Sequence, residues 1–481
     1  MSELAGNDHR TALVVDLDGT LAKTDVLVES VIRLLGRSPW LVFPMIGWLL
    51  GGKAEFKRRV AERVELDVAW LPYHPDVLRL AEEARAQGRK VVLATAAAER
   101  HAKAVASHLG LFDEVLSSSD SLNLSGDRKA ELLVKAFGER GFDYVGNAYA
   151  DLRVWRVARQ AILVNPSPGL KAGLERGATL DQVLEDRRSV LASIVRQLRV
   201  HQWAKNLLVF LPAVAAHVVG DWQVVARCLL AFCAFSAVAS AVYVLNDLID
   251  LQHDRQHPRK RLRPFASGDL PLRFGLVLAP SLLLVGLAIG VVVSPLFALV
   301  LVVYLLTTSA YSLGLKGLAI VDVLALAGLY TIRMVGGAAA TELKLSFWLL
   351  AFSTFLFLSL AMVKRYVELR QLASKGQVTA AGRGYRADDA EIVAALGSGA
   401  GLLSVLVLAL YIDSPNVIAI YSVPGALWLV CLVLLFWISR LWLLAHRGAV
   451  HDDPVVFALK DPVSIGLGVL SLGVIGFAAL L

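Results

Sequence analysis

This sequence predicts two folds in series: an α/β doubly wound domain with a small helical cap, followed by an all-α membrane bundle of nine transmembrane helices. Three observations carry that expectation. Of 481 residues, 56% are hydrophobic and 19% charged, which is too apolar for a soluble chain and long enough for two units. The apolar excess is uneven: from Asn206 onward long apolar runs alternate with short polar ones, whereas residues 1–200 are mixed and charged. Within that first part, β-branched runs such as "TALVV" and "KVVLATA" alternate with helical stretches, as expected of βα units around a parallel sheet.

The opening stretch "MSELAGNDHRTALVVDLDGT" has no basic start followed by an apolar core and a small-residue cleavage site, so no signal peptide is expected. The α/β domain is placed at residues 1–178, with the cap at about 26–80. Within the cap, "PWLVFPMIGWLLGG" invites a transmembrane reading. Pro39 to Leu50 is shorter than the roughly 20 residues a span needs, however, and one crossing would put Asp16 and Thr95 on opposite sides of the bilayer. The patch is therefore cap core or an interfacial anchor, with Trp40, Phe43 and Trp48 in the headgroup zone. Residues 179–205 read as an amphipathic linker helix, and the membrane domain as residues 206–481.

At roughly 20 residues per span, helices are expected near 206–219, 224–247, 273–293, 295–313, 318–340, 345–365, 390–411, 416–439 and 463–481. Alternate loops carry the basic residues: Arg255 to Arg273, Lys316, Lys364 to Arg386, and Arg440, Arg447 and Lys460. The intervening loops contain only Lys344. By the positive-inside rule the basic loops and the amino-terminal domain are expected in the cytoplasm, on an inner (cell) membrane. The cysteines Cys228, Cys233 and Cys431 all lie in apolar runs, which argues against a disulfide framework or zinc site.

The second span ends in "NDLIDLQHD" and runs into "RQHPRKRLRP". At about 100° per residue, Asn246, Asp250, Asp247 and Asp254 fall near 0°, 40°, 100° and 80° of one helix face. Four oxygen donors there suit a hard cation such as Mg²⁺, which bridges a few carboxylates to substrate phosphates. Acids at the end of a span read as functional by default. The basic run after them is explained by topology alone, or by phosphate binding, for which arginine offers bidentate geometry.

"NDLIDLQHD" resembles the NDxxDxxxD signature of the UbiA-type membrane prenyltransferase superfamily. A second acidic motif, DxxxD, is reduced here to Asp322, because Leu318 and Leu326 stand where its partners would. "RVHQWAKN", "NDLIDLQHDRQHPRKRLRP", "YSLGLK" and "MVKRYVEL" are closer to the decaprenyl-phosphate phosphoribosyltransferase branch. That resemblance implies 5-phosphoribosyl 1-diphosphate and a polyprenyl phosphate lipid as substrates, Mg²⁺ on Asn246, Asp247, Asp250 and Asp254, and substrate contacts from Lys205, Arg259, Lys260, Arg261, Arg263, Tyr311, Lys316, Asp322, Lys364 and Arg365. No nucleic acid partner is expected.

"TALVVDLDGTLAKTD" resembles the first motif of haloacid dehalogenase-type phosphatases, and Thr95, Lys129 and Asp151 follow in that family's order. The resemblance implies Asp16 as nucleophile, Asp18 as general acid and then base, Thr95 and Lys129 on phosphoryl oxygens, and Mg²⁺ on Asp16, Asp18 and Asp151. Asn147 replaces an acid often found there. The whole reads as a bifunctional lipid enzyme that transfers 5-phosphoribosyl to a polyprenyl phosphate and then removes the 5-phosphate. The alternatives are a prenyltransferase acting on an aromatic or haem acceptor, and a membrane carrier with a vestigial phosphatase domain.

Overall fold

The computed structural model describes residues 11–118, 124–174, 179–186, 188–379, 383–414, 417, 421–450 and 453–480. The opening stretch through Arg10, the expected boundary at 178, the first residue of the helix expected at 416–439, and residue 481 lie outside them. The chain divides into two compact units: Met1–Leu198 with Tyr243–Ala279, and Arg199–Val242 with Pro280–Leu481.

The first unit is built on six strands: β1 (Ala12–Val15), β2 (Val91–Ala98), β3 (Glu114–Ser118), β4 (Phe142–Gly146), β5 (Ala161–Val164) and β6 (Leu180–Leu184). They pair in parallel in the order β3-β2-β1-β4-β5-β6. Alternate residues of β1 enter two separate cores, Leu13 and Val15 on one face and Ala12 and Val14 on the other. A parallel sheet with both faces covered requires such double burial. The chain reverses direction across the sheet between β1 and β4, and the crevice at their carboxyl ends is where such folds hold ligands. Asp16 and Asn147 are the residues found there.

β6 corrects one expectation. Residues 180–184 are the edge strand of the sheet rather than part of a linker helix, because Gln182, Val183 and Leu184 pair with Ile162, Leu163 and Val164. The helix comes later, at Val190–Leu198, and it is turned inside out: it buries Ser193 and Gln197 while Leu191 and Val195 are exposed. Gln197 points inward because its amide donates to Asp247 Oδ2 at 2.9 Å.

The cap consists of α1 (Val26–Arg37), α2 (Val42–Leu50) and α3 (Lys53–Arg63). Asp25 caps α1 by accepting from the Val28 N–H at 3.0 Å, which satisfies one of the helix's open donors. Ile32 of α1 packs with Val244, Leu248 and Leu251. Glu29 of α1 meets Arg255 in a buried two-point salt bridge, with Nη1 to Oε1 at 2.7 Å and Nη2 to Oε2 at 3.0 Å. The three aromatic residues of the cap patch do not act as one set. Trp48 is buried under the Arg63 guanidinium, 4.6 Å from its ring centre, whereas Trp40 and Phe43 are exposed.

Eight helices among the described residues are long and apolar enough to cross a membrane: Trp222–Ile249, Leu272–Val293, Pro295–Leu313, Val321–Thr341, Phe347–Ser374, Ala387–Ile412, Pro424–His446 and Pro462–Ala479. The ninth expected span, 206–219, is instead the end of a 3-10 run, Val200–Phe210, followed by the short α-helix Leu211–Ala215. Pro212, which has no N–H to bond back into the preceding turn, starts that short helix. The 3-10 run is held by tight packing: a Cβ on Gly337 would lie 2.0 Å from the Val209 carbonyl oxygen. The helix expected at 416–439 lies further along, at Pro424–His446.

Candidate active sites

The first site forms where β1 ends. Asp16 is 7% exposed and accepts from Lys129 Nζ at 2.8 Å. Lys129 also donates to the Tyr144 hydroxyl at 2.9 Å and lies 4.0 Å from Asp151 Oδ1. Burial opposes charge on Lys129, but Asp16 and Asp151 together hold it above the usual lysine range. Burial pushes the Asp16 carboxyl up to about 6, against the pull of Lys129. It pushes Asp18 up to about 7, with Asp25 and Asp16 adding like charge. Asp18 Oδ1 accepts from the Val26 N–H at 2.8 Å, so the first turn of the cap helix orients it. Thr95 is fully buried in β2, its hydroxyl accepting from the Ala97 N–H at 3.0 Å.

Asp151 is spent largely on the loop. Its Oδ1 accepts from Tyr144 at 2.8 Å, and its Oδ2 accepts from the N–H groups of Asn147 and Ala148 at 3.1 and 2.9 Å. That loop presents Asn147 to the turn after Asp18. A Cβ on Gly19, which has φ +77°, would lie 2.1 Å from Asn147 Nδ2. Glycine is thus required twice, by backbone conformation and by the approach of the amide. From the cap, Lys57 reaches across and donates to the Ala96 carbonyl at 2.7 Å. It borders a cavity of about 190 Å³ between α3 and the end of β2.

The second site lies in the same compact unit. The four oxygen donors of the acidic motif split into two rows. Asp247 and Asp254 are buried, whereas Asn246 is half-buried and Asp250 exposed. Seven residues make nearly two helical turns, so 247 and 254 stack on one line, and 246 and 250 form the neighbouring line. Arg263 bridges the buried row, with Nη1 2.9 Å from Asp247 Oδ1 and 2.5 Å from Asp254 Oδ2. Lys260 lies 4.0 Å from Asp254 Oδ1, an oxygen that is buried without a hydrogen bond. Burial raises the Asp254 carboxyl and Arg263 opposes the rise. Arg259 and Arg261 are exposed. Among the described residues no three histidine, cysteine, aspartate or glutamate side chains form a ready-made metal cage.

In the second unit, the expected anion contacts fall into two clusters. Lys205 and Lys364 both meet Asp453 Oδ2, at 2.7 and 3.4 Å, and the Tyr330 hydroxyl donates to Asp453 Oδ1 at 2.9 Å. Burial lowers Lys205 to about 8, while Asp453 works in the other direction. In the other cluster, Asp322 is fully buried, ion-paired with Arg365, 3.8 Å from Arg383, and accepts from the Tyr385 hydroxyl at 2.8 Å. Arg383 also donates to Tyr311 at 3.0 Å. Lys316 is half-buried in a 3-10 turn. Asp322 and Arg365, both expected on substrate, are thus partners of each other.

Several of these groups escaped sequence reading. Asp453 stands in "HDDPVVF", where it caps the next helix by accepting from the Val455 N–H at 3.2 Å; that role is legible, its lysine partners are not. Arg333 carried a signal, as a cation inside an apolar helix is a functional candidate by default. It donates to Asn206 Oδ1 at 2.7 Å and to the Tyr304 hydroxyl at 3.1 Å. Lys57, Glu29 and Tyr144 gave none.

Comparison with known proteins divides the chain in sequence order, so that residues 243–279 of the first compact unit fall within the membrane family's match. Residues 207–453 match the UbiA prenyltransferase family, and residues 13–156 match the haloacid dehalogenase-like hydrolases. The chain is 36% identical over 465 residues to an uncharacterized protein, y4nM, of Sinorhizobium fredii, covering 96% of this chain and 90% of that one. It is 31% identical over 298 residues to a decaprenyl-phosphate phosphoribosyltransferase of Mycolicibacterium smegmatis, covering 60% of this chain and 93% of that one. A solved UbiA homolog from Archaeoglobus fulgidus, bound to GPP and Mg²⁺, superposes with a TM-score of 0.45 at 14% identity, covering 59% of this chain and 99% of that one. With eight membrane-length apolar helices among its described residues behind a parallel-sheet domain, the chain is a multi-pass membrane protein of the UbiA prenyltransferase family that carries a haloacid dehalogenase-like hydrolase domain at its amino terminus.

Proposed function

We propose that the chain is a bifunctional lipid enzyme. The membrane domain transfers 5-phosphoribosyl from 5-phosphoribosyl 1-diphosphate to a polyprenyl phosphate, and the amino-terminal domain removes the 5-phosphate to leave polyprenyl-phosphoryl ribose. The observation that carries this reading is that one compact unit holds both the Asp16–Asp18 loop and the acidic segment 246–263. A small cleft there is lined by Gly19, Lys23, Asn165 and Asp186 of the sheet domain and by Gly268 and Asp269, which follow the acidic segment in the chain. A phosphate ester made at the acidic segment has a phosphate-cleaving loop beside it.

Two further observations support the choice of substrates. Relatives named decaprenyl-phosphate phosphoribosyltransferase are 39% identical over 193 residues and 31% identical over 298 residues of this chain. The lone acid Asp322 is neutralised by Arg365, so it offers no second acidic clamp of the kind a prenyl diphosphate donor would call for.

In the transfer, a phosphate oxygen of the lipid attacks C1 of the ribose as the bond from C1 to the diphosphate breaks. Asn246, Asp247, Asp250 and Asp254 are the residues that would hold Mg²⁺. The buried, unbonded Asp254 Oδ1, and the Arg263 guanidinium now bridging the two buried acids, mark a place for positive charge. The ion supplies neutralisation of the leaving diphosphate. Lys260, Arg259 and Arg261 offer charge to the 5-phosphate; Lys205, Lys364, Lys316 and Tyr311 are the residues of the other unit that the family resemblance assigns to phosphate oxygens.

In the hydrolysis, the Asp16 carboxylate attacks phosphorus and the ester oxygen leaves with a proton from Asp18. Water then attacks the aspartyl phosphate, and its proton goes to Asp18. With its carboxyl near 7, Asp18 is suited to both roles. Lys129 and Thr95 steady the phosphoryl oxygens, and Asp16, Asp18 and Asp151 would hold Mg²⁺, whose charge suits a buried acidic pair with raised carboxyls. Both sites are assigned to the cytoplasmic face.

The test supplies membranes containing the protein with labelled 5-phosphoribosyl 1-diphosphate or labelled prenyl diphosphate. Only the ribose label is expected in lipid, and Asp16→Asn is expected to accumulate the 5-phosphorylated lipid. Prenyl label passing to an acceptor would overturn the assignment.

A further inference from the structure

The cap carries an apolar face that no described residue of its own unit covers. On Pro39–Leu50, Trp40, Phe43, Ile46, Leu49 and Leu50 are exposed by 67%, 74%, 58%, 57% and 85%. Their spacing of three or four residues puts most of them on one side of a helix. Met45 and Trp48, on the other side, are buried in the cap core. The segment from Pro39 to Gly52 contains no charged residue, and exposed Arg37 and Lys53 bracket it.

The structure also says where this face begins. α1, which leads into it, packs Ile32 against Val244 and Leu248 of the span Trp222–Ile249. Further along α1, Gly36 faces the last residue of that span: Ile249 Cγ2 lies 3.5 Å from where a Cβ on Gly36 would sit. The chain therefore enters Pro39–Leu50 at the level where a span leaves the apolar core of the bilayer. Trp and Phe on an apolar face, with cations at its ends, match the zone between acyl chains and anionic headgroups.

We propose that this face is seated in the surface of the bilayer that the chain itself spans, making the cap a membrane-docked element of the hydrolase domain. The occupant is lipid, because the face starts at the end of a span and its flanking charges are both positive. The proposal rests on the placement of α1 and α2 alone and is independent of the reaction assigned above.

The test uses the full chain in nanodiscs of phosphatidylcholine with phosphatidylglycerol. In a Cys233→Ser background, a nitroxide is attached in turn at Phe43→Cys, Ile46→Cys and, as a solvent reference, Glu62→Cys. Collision with oxygen, which concentrates in lipid, relative to a water-soluble nickel chelate is expected to be several-fold higher at 43 and 46 than at 62. A ratio at 43 and 46 equal to that at 62 would overturn the proposal, as would dipolar broadening showing a second copy on the face. A measurement without cysteine substitution guards against misfolded variants. The difference in tryptophan emission between the unsubstituted chain and Trp40→Phe is expected to be quenched by lipids brominated near the headgroup, and an unquenched difference refutes docking.

Discussion

Replacing Arg255 by alanine strands a carboxylate. Glu29 and Arg255 are 2% and 4% exposed, and the pair is joined at two points, 2.7 and 3.0 Å. Arg255 adds a bond from Nε to the Ala266 carbonyl at 3.2 Å, and Glu29 Oε2 also accepts from the Thr24 hydroxyl at 3.2 Å. With the guanidinium gone, Thr24 is the one hydrogen-bond donor left to that carboxylate among the described residues. Breaking one side of such a pair costs about 3–5 kcal/mol. A stranded glutamate can escape by taking up a proton, which at pH 7 costs about 3.7 kcal/mol and at pH 5 about 1 kcal/mol.

The loss at Arg255→Ala is therefore expected to be about 3–4 kcal/mol at pH 7, shrinking toward 1 kcal/mol at pH 5. The sign follows from linkage. In the variant the folded state holds the proton more tightly than the unfolded state, so its stability falls as pH rises. The assay is hydrogen exchange of peptides from α1 and residues 251–256 in the detergent-solubilised chain, read by mass spectrometry. Amides there should exchange about 150- to 900-fold faster than in the wild type at pH 7. The double variant Glu29→Leu/Arg255→Leu should recover most of the protection, since an apolar pair of similar volume is often neutral. Unchanged protection in Arg255→Ala, or a loss that does not depend on pH, would refute the reasoning. Because the Val26 N–H of α1 orients Asp18, hydrolase activity should fall with α1 protection.

Two more outcomes follow from particular residues. Lys205, held near 8 by burial, carries its charge below that pH and loses it above, so KM for the sugar diphosphate should climb as pH passes through 8. Asp453→Asn removes the opposing carboxylate and should move that climb to lower pH, and a KM flat from about pH 7 to 9 would dismiss Lys205 as a phosphate contact. Gly19→Ala forces a side chain into φ +77° and toward Asn147, which should cost about 1–2 kcal/mol and depress hydrolase activity; adding Asn147→Ala should relieve the crowding but not the backbone strain. Thermal melts together with turnover of a soluble phosphate ester check both variants, and a Gly19→Ala protein as stable and active as wild type would count against the strain.

The sequence by itself determined the two-domain order, the parallel sheet, the presence of membrane helices and the two motifs that carry the candidate chemistry. Each of these is written in short-range pattern: alternation of strands and helices, runs of apolar residues near the length of a bilayer, and Asp16-Leu17-Asp18-Gly19-Thr20 at the end of a strand. Periodicity also put the four oxygen donors of "NDLIDLQHD" on one face. Only tertiary structure decided which of them are buried, because Gln197 comes from a segment fifty residues earlier and Arg263 folds back onto Asp247 and Asp254 through a turn that helical periodicity does not describe. The same holds for β6, whose five residues became a strand through pairing with β5, and for Val200–Phe210, where packing against Gly337 accompanies a 3-10 run rather than a regular span. "PWLVFPMIGWLL" shows the division most plainly. Its composition left core and anchor open, and the fold divided the segment residue by residue, sending Met45 and Trp48 into the core and leaving Trp40, Phe43 and Leu50 exposed. Hydropathy reports how much apolar surface a segment has, whereas which neighbour covers each side chain depends on contacts far apart in sequence.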